Sequence, residues 1–213
     1  MKTKQTYVML GVGILLQVIT FIITRDTWLS FMSGIAGVFS VVYCSERKLS
    51  FYFWSFIQIV TFSVICYNTH LYAKLFENAF YLITLSCGLG IWLANRDADN
   101  KVETRYCNKK QVNIFLTLLL ICMLILFPTL YHFGGTLPWF DALTTSLAIT
   151  AQVMMILRFR ENWIVWFIVD ILCIILFTLT NNWCMVAQYI FWTINTIYGY
   201  RIWKNAIEYK NEK

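Results

Sequence analysis

The charge-free stretches constrain this chain more than any other feature. Five runs of 19 residues or more, 5–24, 27–45, 49–73, 111–140 and 171–200, contain no Asp, Glu, Lys or Arg. The hydrocarbon core of a bilayer is about 30 Å thick and is crossed by about 20 mostly apolar helical residues. Helices satisfy their own backbone hydrogen bonds, which hydrocarbon requires. Composition agrees. The chain is 59% hydrophobic and 13% charged, against roughly 45–50% and about 25% in soluble domains. The expected class is an all-α polytopic membrane protein with about eight transmembrane helices, at 7–23, 28–44, 51–67, 75–93, 112–133, 141–157, 163–179 and 183–203. The first run begins Met1-Lys2-Thr3-Lys4. It lacks a small-x-small cleavage site, so it reads as a retained helix rather than a signal peptide.

Basic residues set the orientation. Of 17 Lys and Arg, 15 fall at the termini or on one set of loops, five of them between 94 and 111; the opposite side holds Arg25 and Lys74. Cytoplasmic termini follow. The net charge of +6 is then a topology signal, and no solvated face is left for nucleic acid. No phosphate loop, HExxH, GxSxG or paired CxxC occurs, and the seven cysteines lack ligand spacing. Neither an enzyme, a cofactor nor a metal site is expected. His70 and His132 fall at outer span ends and read as interfacial anchors.

The chain also repeats itself. Gly88-Leu89-Gly90-Ile91-Trp92 corresponds to Gly199-Tyr200-Arg201-Ile202-Trp203, and one turn or more upstream Thr84 corresponds to Asn195, Tyr81 to Trp192 and Glu77 to Gln188. With one residue of slippage, Trp54 corresponds to Trp166, Gln58 to Asp170 and Ser40 to Gln152. Spans two to four thus recur as six to eight, with one span between them, so the repeats run parallel. The expected layout is a peripheral N-terminal helix (1–27), a first three-helix repeat (28–93), a basic cytoplasmic loop with a linker helix (94–140), a second repeat (141–203) and a cytoplasmic tail (204–213). Transporters built this way hold substrate at the repeat interface near the midplane.

Helical spacing sorts the polar residues onto faces. Gln188, Trp192, Asn195 and Gly199 form one stripe; Glu77, Tyr81, Thr84 and Gly88 form its counterpart. Trp163, Trp166 and Asp170 share a face of span seven, as Phe51, Trp54 and Gln58 do in span three. An ionised aspartate at mid-span costs about 2.5–3.5 kcal/mol even on insertion scales. Asp170 therefore reads as the counter-charge to a cationic substrate, as a protonated acid, or as the cap of a structural network with Gln152 or Gln188. Trp166 and Trp192 offer stacking faces or plain packing. Asn78 and Asn195 either bind substrate hydroxyls or tie helices together. Glu77, near a helix end, is read equally as structural or functional. Trp28, Trp139, Trp183, Trp92 and Trp203 read as an interfacial belt.

Two stretches, Leu137 to Ser146 and Arg158 to Trp166, resemble the PnuC family of bacterial nicotinamide riboside transporters. The run from Glu161 to Asp170 contains the family's Trp-x-x-Trp signature as Trp163 and Trp166. Both Gly-x-x-x-Trp ends match, and Ser33–Gly37 and Leu71-Tyr72-Ala73 resemble first-repeat motifs. The likeness spans about 32–203 and is strongest in the second repeat. Gly88-Leu89-Gly90 lacks the usual aromatic after the first glycine, and Leu85 stands where some members carry Asn.

The resemblance implies a 3+1+3 helix core and a homotrimer in the bacterial inner membrane. It also implies facilitated diffusion of nicotinamide riboside, an NAD precursor, trapped inside by a cytoplasmic riboside kinase. It carries Trp163, Trp166 and Asp170 over as site residues, with Gln188, Asn195 and Asn78 as further polar positions; face sharing adds Trp192, Tyr81 and Gln58. A flat pyridinium cation with an amide and ribose hydroxyls suits that set. Thiamine or another flat vitamin is the alternative cargo.

Overall fold

The structure, a computed structural model, describes residues 2–25, 27–68, 72–133, 137–179, 181 and 183–211. Met1, His70 and Leu71, named above, lie outside these residues, as do the side chains of Lys2, Thr3, Tyr72, Ala73 and Lys74. The described residues form α1 (Lys2–Thr24), α2 (Trp28–Ser45), α3 (Ser50–Asn68), α4 (Tyr72–Ala94), α5 (Lys109–His132), α6 (Pro138–Ile156), α7 (Asn162–Leu179) and α8 (Trp183–Asn211). Seven of these helices are long and apolar enough to cross a membrane. The longest, α8 at 29 residues, is not among them, although a crossing was expected there. Its length suffices; Gln188, Asn195 and its hydroxyl-bearing residues dilute its apolar character.

Local chemistry sets the helix ends. Thr27 caps α2 by accepting from the Ser30 amide at 3.2 Å. Asn108 and Gln111 form a reciprocal capping box at α5, each side chain accepting from the other's amide at 2.9 Å. Pro138 opens α6, where a missing N–H costs nothing.

The chain divides into two compact units. The first comprises Met1–Glu103 with Arg201–Trp203. Its helices pack in sequence, α1 on α2, α2 on α3 and α3 on α4. Polar contacts stitch them. Thr6 donates to buried Glu46 at 2.7 Å, and the Ser40 and Ser55 hydroxyls meet at 2.7 Å. Phe39 stacks on Trp54 at 4.4 Å.

Trp92 and Trp203 do not belong to the interfacial belt. Both have 0% exposure. Their rings lie 5.9 Å apart, with Phe51 and Tyr52 against Trp92. The Trp203 indole N–H donates to the Cys44 carbonyl at 3.2 Å. A tryptophan whose N–H finds a buried carbonyl no longer needs interfacial water. Trp28, Trp139 and Trp183 are exposed.

The second unit comprises Thr104–Tyr200 with Lys204–Lys213. Here α5 packs on α6 and α6 on α7.

The reverse turns of the two units share a device. In the first, Arg47 turns the chain with φ 62°; its carbonyl accepts from the Val102 amide at 2.9 Å, and its guanidinium donates to the Val102 carbonyl at 2.9 Å and meets Asp97 at 3.3 Å. In the second, Arg158 has φ 69°, and its carbonyl accepts from the Arg105 amide at 3.0 Å. The Arg105 guanidinium lies over the Phe159 ring. Close by, the Cys107 amide donates to Glu161 at 3.0 Å. Burial and then the Glu161 carboxylate push the Cys107 thiol up to about 12, which keeps it protonated and unreactive at neutral pH.

Trp203→Ala should destabilise the protein by about 3–5 kcal/mol, the usual loss for a buried aromatic. Thermal unfolding in detergent measures this. A variant as stable as the wild type would return Trp203 to the interface.

Candidate functional site

The sharpest polar residue lies midway along α7. Asp170 is 4% exposed, and its Oδ2 accepts a hydrogen bond from the Thr196 hydroxyl of α8 at 2.9 Å. Among the described residues no Lys or Arg pairs with it, and neither Gln152 nor Gln188 is its hydrogen-bond partner. Of the readings open for Asp170, a network would run through this hydroxyl. The carboxylate enters the protein because a threonine on α8 meets it.

Thr196 was missed in the sequence although its signal was present. It lies four residues after Trp192 and eight after Gln188, on the stripe already drawn. A helical threonine is commonly read as back-bonded to its own helix, and that bond exists too, to the Trp192 carbonyl at 2.6 Å.

The two signature tryptophans are used differently. Trp163 is buried, its indole against Gly199 of α8. A Cβ added at Gly199 would lie 2.7 Å from Trp163 Cε2 and Cζ2, so only glycine admits the ring. Trp166 is half-buried and packs against the Leu147, Val169 and Cys173 cluster. On α8, Trp192 meets Tyr189 edge-on at 4.8 Å, and Tyr189 stacks on Phe177 at 5.5 Å. Tyr189, unmarked by the sequence pattern, extends the aromatic surface. Asn195 is 2% exposed, while Gln188 is half-buried.

The remaining expected residues lie in the first unit. Asn78 is buried and donates to Ser63 at 3.3 Å, tying α4 to α3. Tyr81 donates to Glu77 at 3.1 Å. Gln58 lies against Gly37, where a Cβ would come within 2.9 Å of its amide nitrogen. Among the described residues no group of His, Cys, Asp and Glu could hold a metal ion.

The second unit therefore contains a buried carboxylate, carboxamides and aromatic faces. That set suits a flat, electron-poor, cationic ligand. A family profile described as Nicotinamide mononucleotide transporter matches residues 27–205. The chain belongs to this family.

The chain is similar to the nicotinamide riboside transporter PnuC of Haemophilus influenzae, with 29% identity covering 96% of this chain and 91% of that protein. It is similar to the Neisseria mucosa transporter of the same name, with 26% identity covering 91% of this chain and 78% of that one. A solved structure, the crystal structure of the Vitamin B3 transporter PnuC, matches with a TM-score of 0.80 and 25% identity over 95% of this chain and 92% of that one. With its apolar helices, membership in this transporter family makes the chain a multi-pass membrane protein.

Gly199→Ala should push the Trp163 ring off α8. Overpacking of this kind costs typically about 1–3 kcal/mol, so melting temperature and ligand affinity should both fall. Unchanged values for both would show that Trp163 tolerates another seat.

Proposed function

We propose that this protein is a membrane transporter that carries nicotinamide riboside inward by facilitated diffusion. The carrying observation is the buried Asp170, whose hydrogen-bond partner among the described residues is a neutral hydroxyl. An interhelical hydrogen bond in a membrane protein contributes about 0.6 kcal/mol on average and 1.7 at most. The ionised aspartate costs about 2.5–3.5. Roughly 1–3 kcal/mol therefore remains to be offset, and a cationic substrate offsets it.

Charge also separates the two names attached to relatives and family. A mononucleotide adds a phosphate, whose usual partners are Arg and Lys. Residues 138–156, 162–179 and 183–200 contain neither. At about 4 Å and an effective dielectric near 20, a like charge costs about as much as an opposite one gains, about 4 kcal/mol. The riboside fits this electrostatic setting; the phosphorylated form does not. Trp166, Trp192 and Tyr189 supply ring faces, and Gln188 and Asn195 supply groups for the amide and hydroxyls.

The proposal includes a core of two parallel repeats, 28–93 and 141–203. The matching left-handed turns at Arg47 and Arg158, 111 residues apart, support it. It places the protein in the bacterial inner membrane with both termini cytoplasmic, supported by the 15 basic residues on one side. Assembly as a homotrimer, and trapping of the riboside by a cytoplasmic kinase, rest on the family resemblance. Transport rather than catalysis is the proposed activity.

Counterflow in proteoliposomes tests this reading. Labelled nicotinamide riboside should exchange against unlabelled riboside and resist competition by the mononucleotide. Stronger competition by thiamine than by the riboside would move the cargo to the alternative vitamin. Asp170→Asn should lower exchange about tenfold or more, as expected when a charge pair worth at least 1.4 kcal/mol is removed. Wild-type exchange in that variant would defeat the charge-pairing argument.

A further inference from the structure

A hydroxyl has one proton to donate. Thr196 Oγ1 lies 2.6 Å from the Trp192 carbonyl oxygen and 2.9 Å from Asp170 Oδ2. It can satisfy either acceptor fully, not both. Turned toward Asp170, the proton stabilises the ionised carboxylate, since a hydrogen bond to a charged group is stronger than one between neutral groups. Turned toward the Trp192 carbonyl, it leaves an oxygen lone pair suited to a protonated acid as donor. Thr196 is 3% exposed and Asp170 4%, so water does not readily take over either bond. The orientation of one proton is thus tied to the charge of the one carboxylate in α7 and α8 up to Tyr200.

The arrangement is also rigid. Thr196 is β-branched and stiff at χ1, which keeps its Oγ1 within reach of both the Trp192 carbonyl and Asp170 Oδ2. The carboxylate oxygen it faces is Asp170 Oδ2. Trp192 is a residue of the aromatic surface.

We infer that Thr196 is a positioning residue for charge selectivity: by holding Asp170 Oδ2 it keeps the carboxylate oriented and ionised for a cationic ring. This rests on the proposed cargo. Thr196 does not itself need to touch the substrate. Its contribution falls on discrimination between a cation and a neutral molecule of the same shape.

Nicotinamide riboside and its reduced dihydro form provide that comparison, since the ring is cationic in one and neutral in the other. Affinities for both would be measured by titration calorimetry on the purified full chain, as wild type, Thr196→Val and Thr196→Ser. Valine keeps the shape and removes the hydroxyl; serine keeps the hydroxyl. The wild type should prefer the cation. Thr196→Val should lose about tenfold of that preference, as for loss of a hydrogen bond to a charged group, with affinity for the neutral form little changed. Thr196→Ser should retain the preference.

If the valine variant does not fold, Thr196→Ala makes the same comparison. Preference intact in the hydroxyl-free variant overturns the inference, as does equal loss of both ligands or loss of preference in Thr196→Ser. A wild type that binds both forms equally overturns the proposed cargo chemistry and this inference with it. A wild type that prefers the cation while the valine variant does too overturns the inference alone.

Discussion

Hydrocarbon leaves a polar group nowhere to go except to another polar group. Because most of this chain sits in helices apolar enough to cross a membrane, that rule organises both units. Threonines at 20, 61, 117, 144, 150 and 193 return their hydroxyls to the carbonyl one turn earlier. Elsewhere the pairing also crosses between helices. Ser40 meets Ser55, Asn78 meets Ser63 and Thr196 meets Asp170. Each such pair contributes little, about 0.6 kcal/mol on average, but each unmade one would cost more. These pairs specify which helix faces meet more than they stabilise the meeting.

Asp170 is the place where this rule is met incompletely. A hydroxyl satisfies part of its demand, and among the described residues no basic side chain pairs with it. The same residue type at a helix end would be unremarked, because water would solvate it. Its burial at mid-helix is what makes it the proposed site: a cation would supply what the hydroxyl leaves unmet. Glycine makes the surrounding geometry possible, since a Cβ at position 199 would lie 2.7 Å from the Trp163 ring.

Much of this was legible in the sequence, for reasons that differ by residue. Charge-free runs locate helices because insertion free energy is nearly additive along a span. Asp170 stood out because charge is scarce there. The α8 stripe followed from helical period, and the structure links it to Asp170 through Thr196. Thr196 itself stayed hidden, since a threonine in a helix is ordinarily satisfied within its own turn. Trp92 and Trp203 misled for a related reason. Tryptophan near a helix end suits an interface, and only the fold reveals the Cys44 carbonyl that accepts the Trp203 N–H. The connecting segment was legible only as basic. Its backbone pairing with the turns at Arg47 and at Arg158 leaves no compositional trace.

The central claim is that a fixed carboxylate passes a cation, unaccompanied, across the membrane. A charge moved through 100 mV changes free energy by about 2.3 kcal/mol. Labelled nicotinamide riboside in proteoliposomes, held at an imposed potential of 100 mV negative inside, should accumulate roughly fifty-fold at equilibrium, and the ratio should collapse with the potential. An internal concentration that equals the external one at every potential, or one that follows a proton gradient instead, would contradict the account.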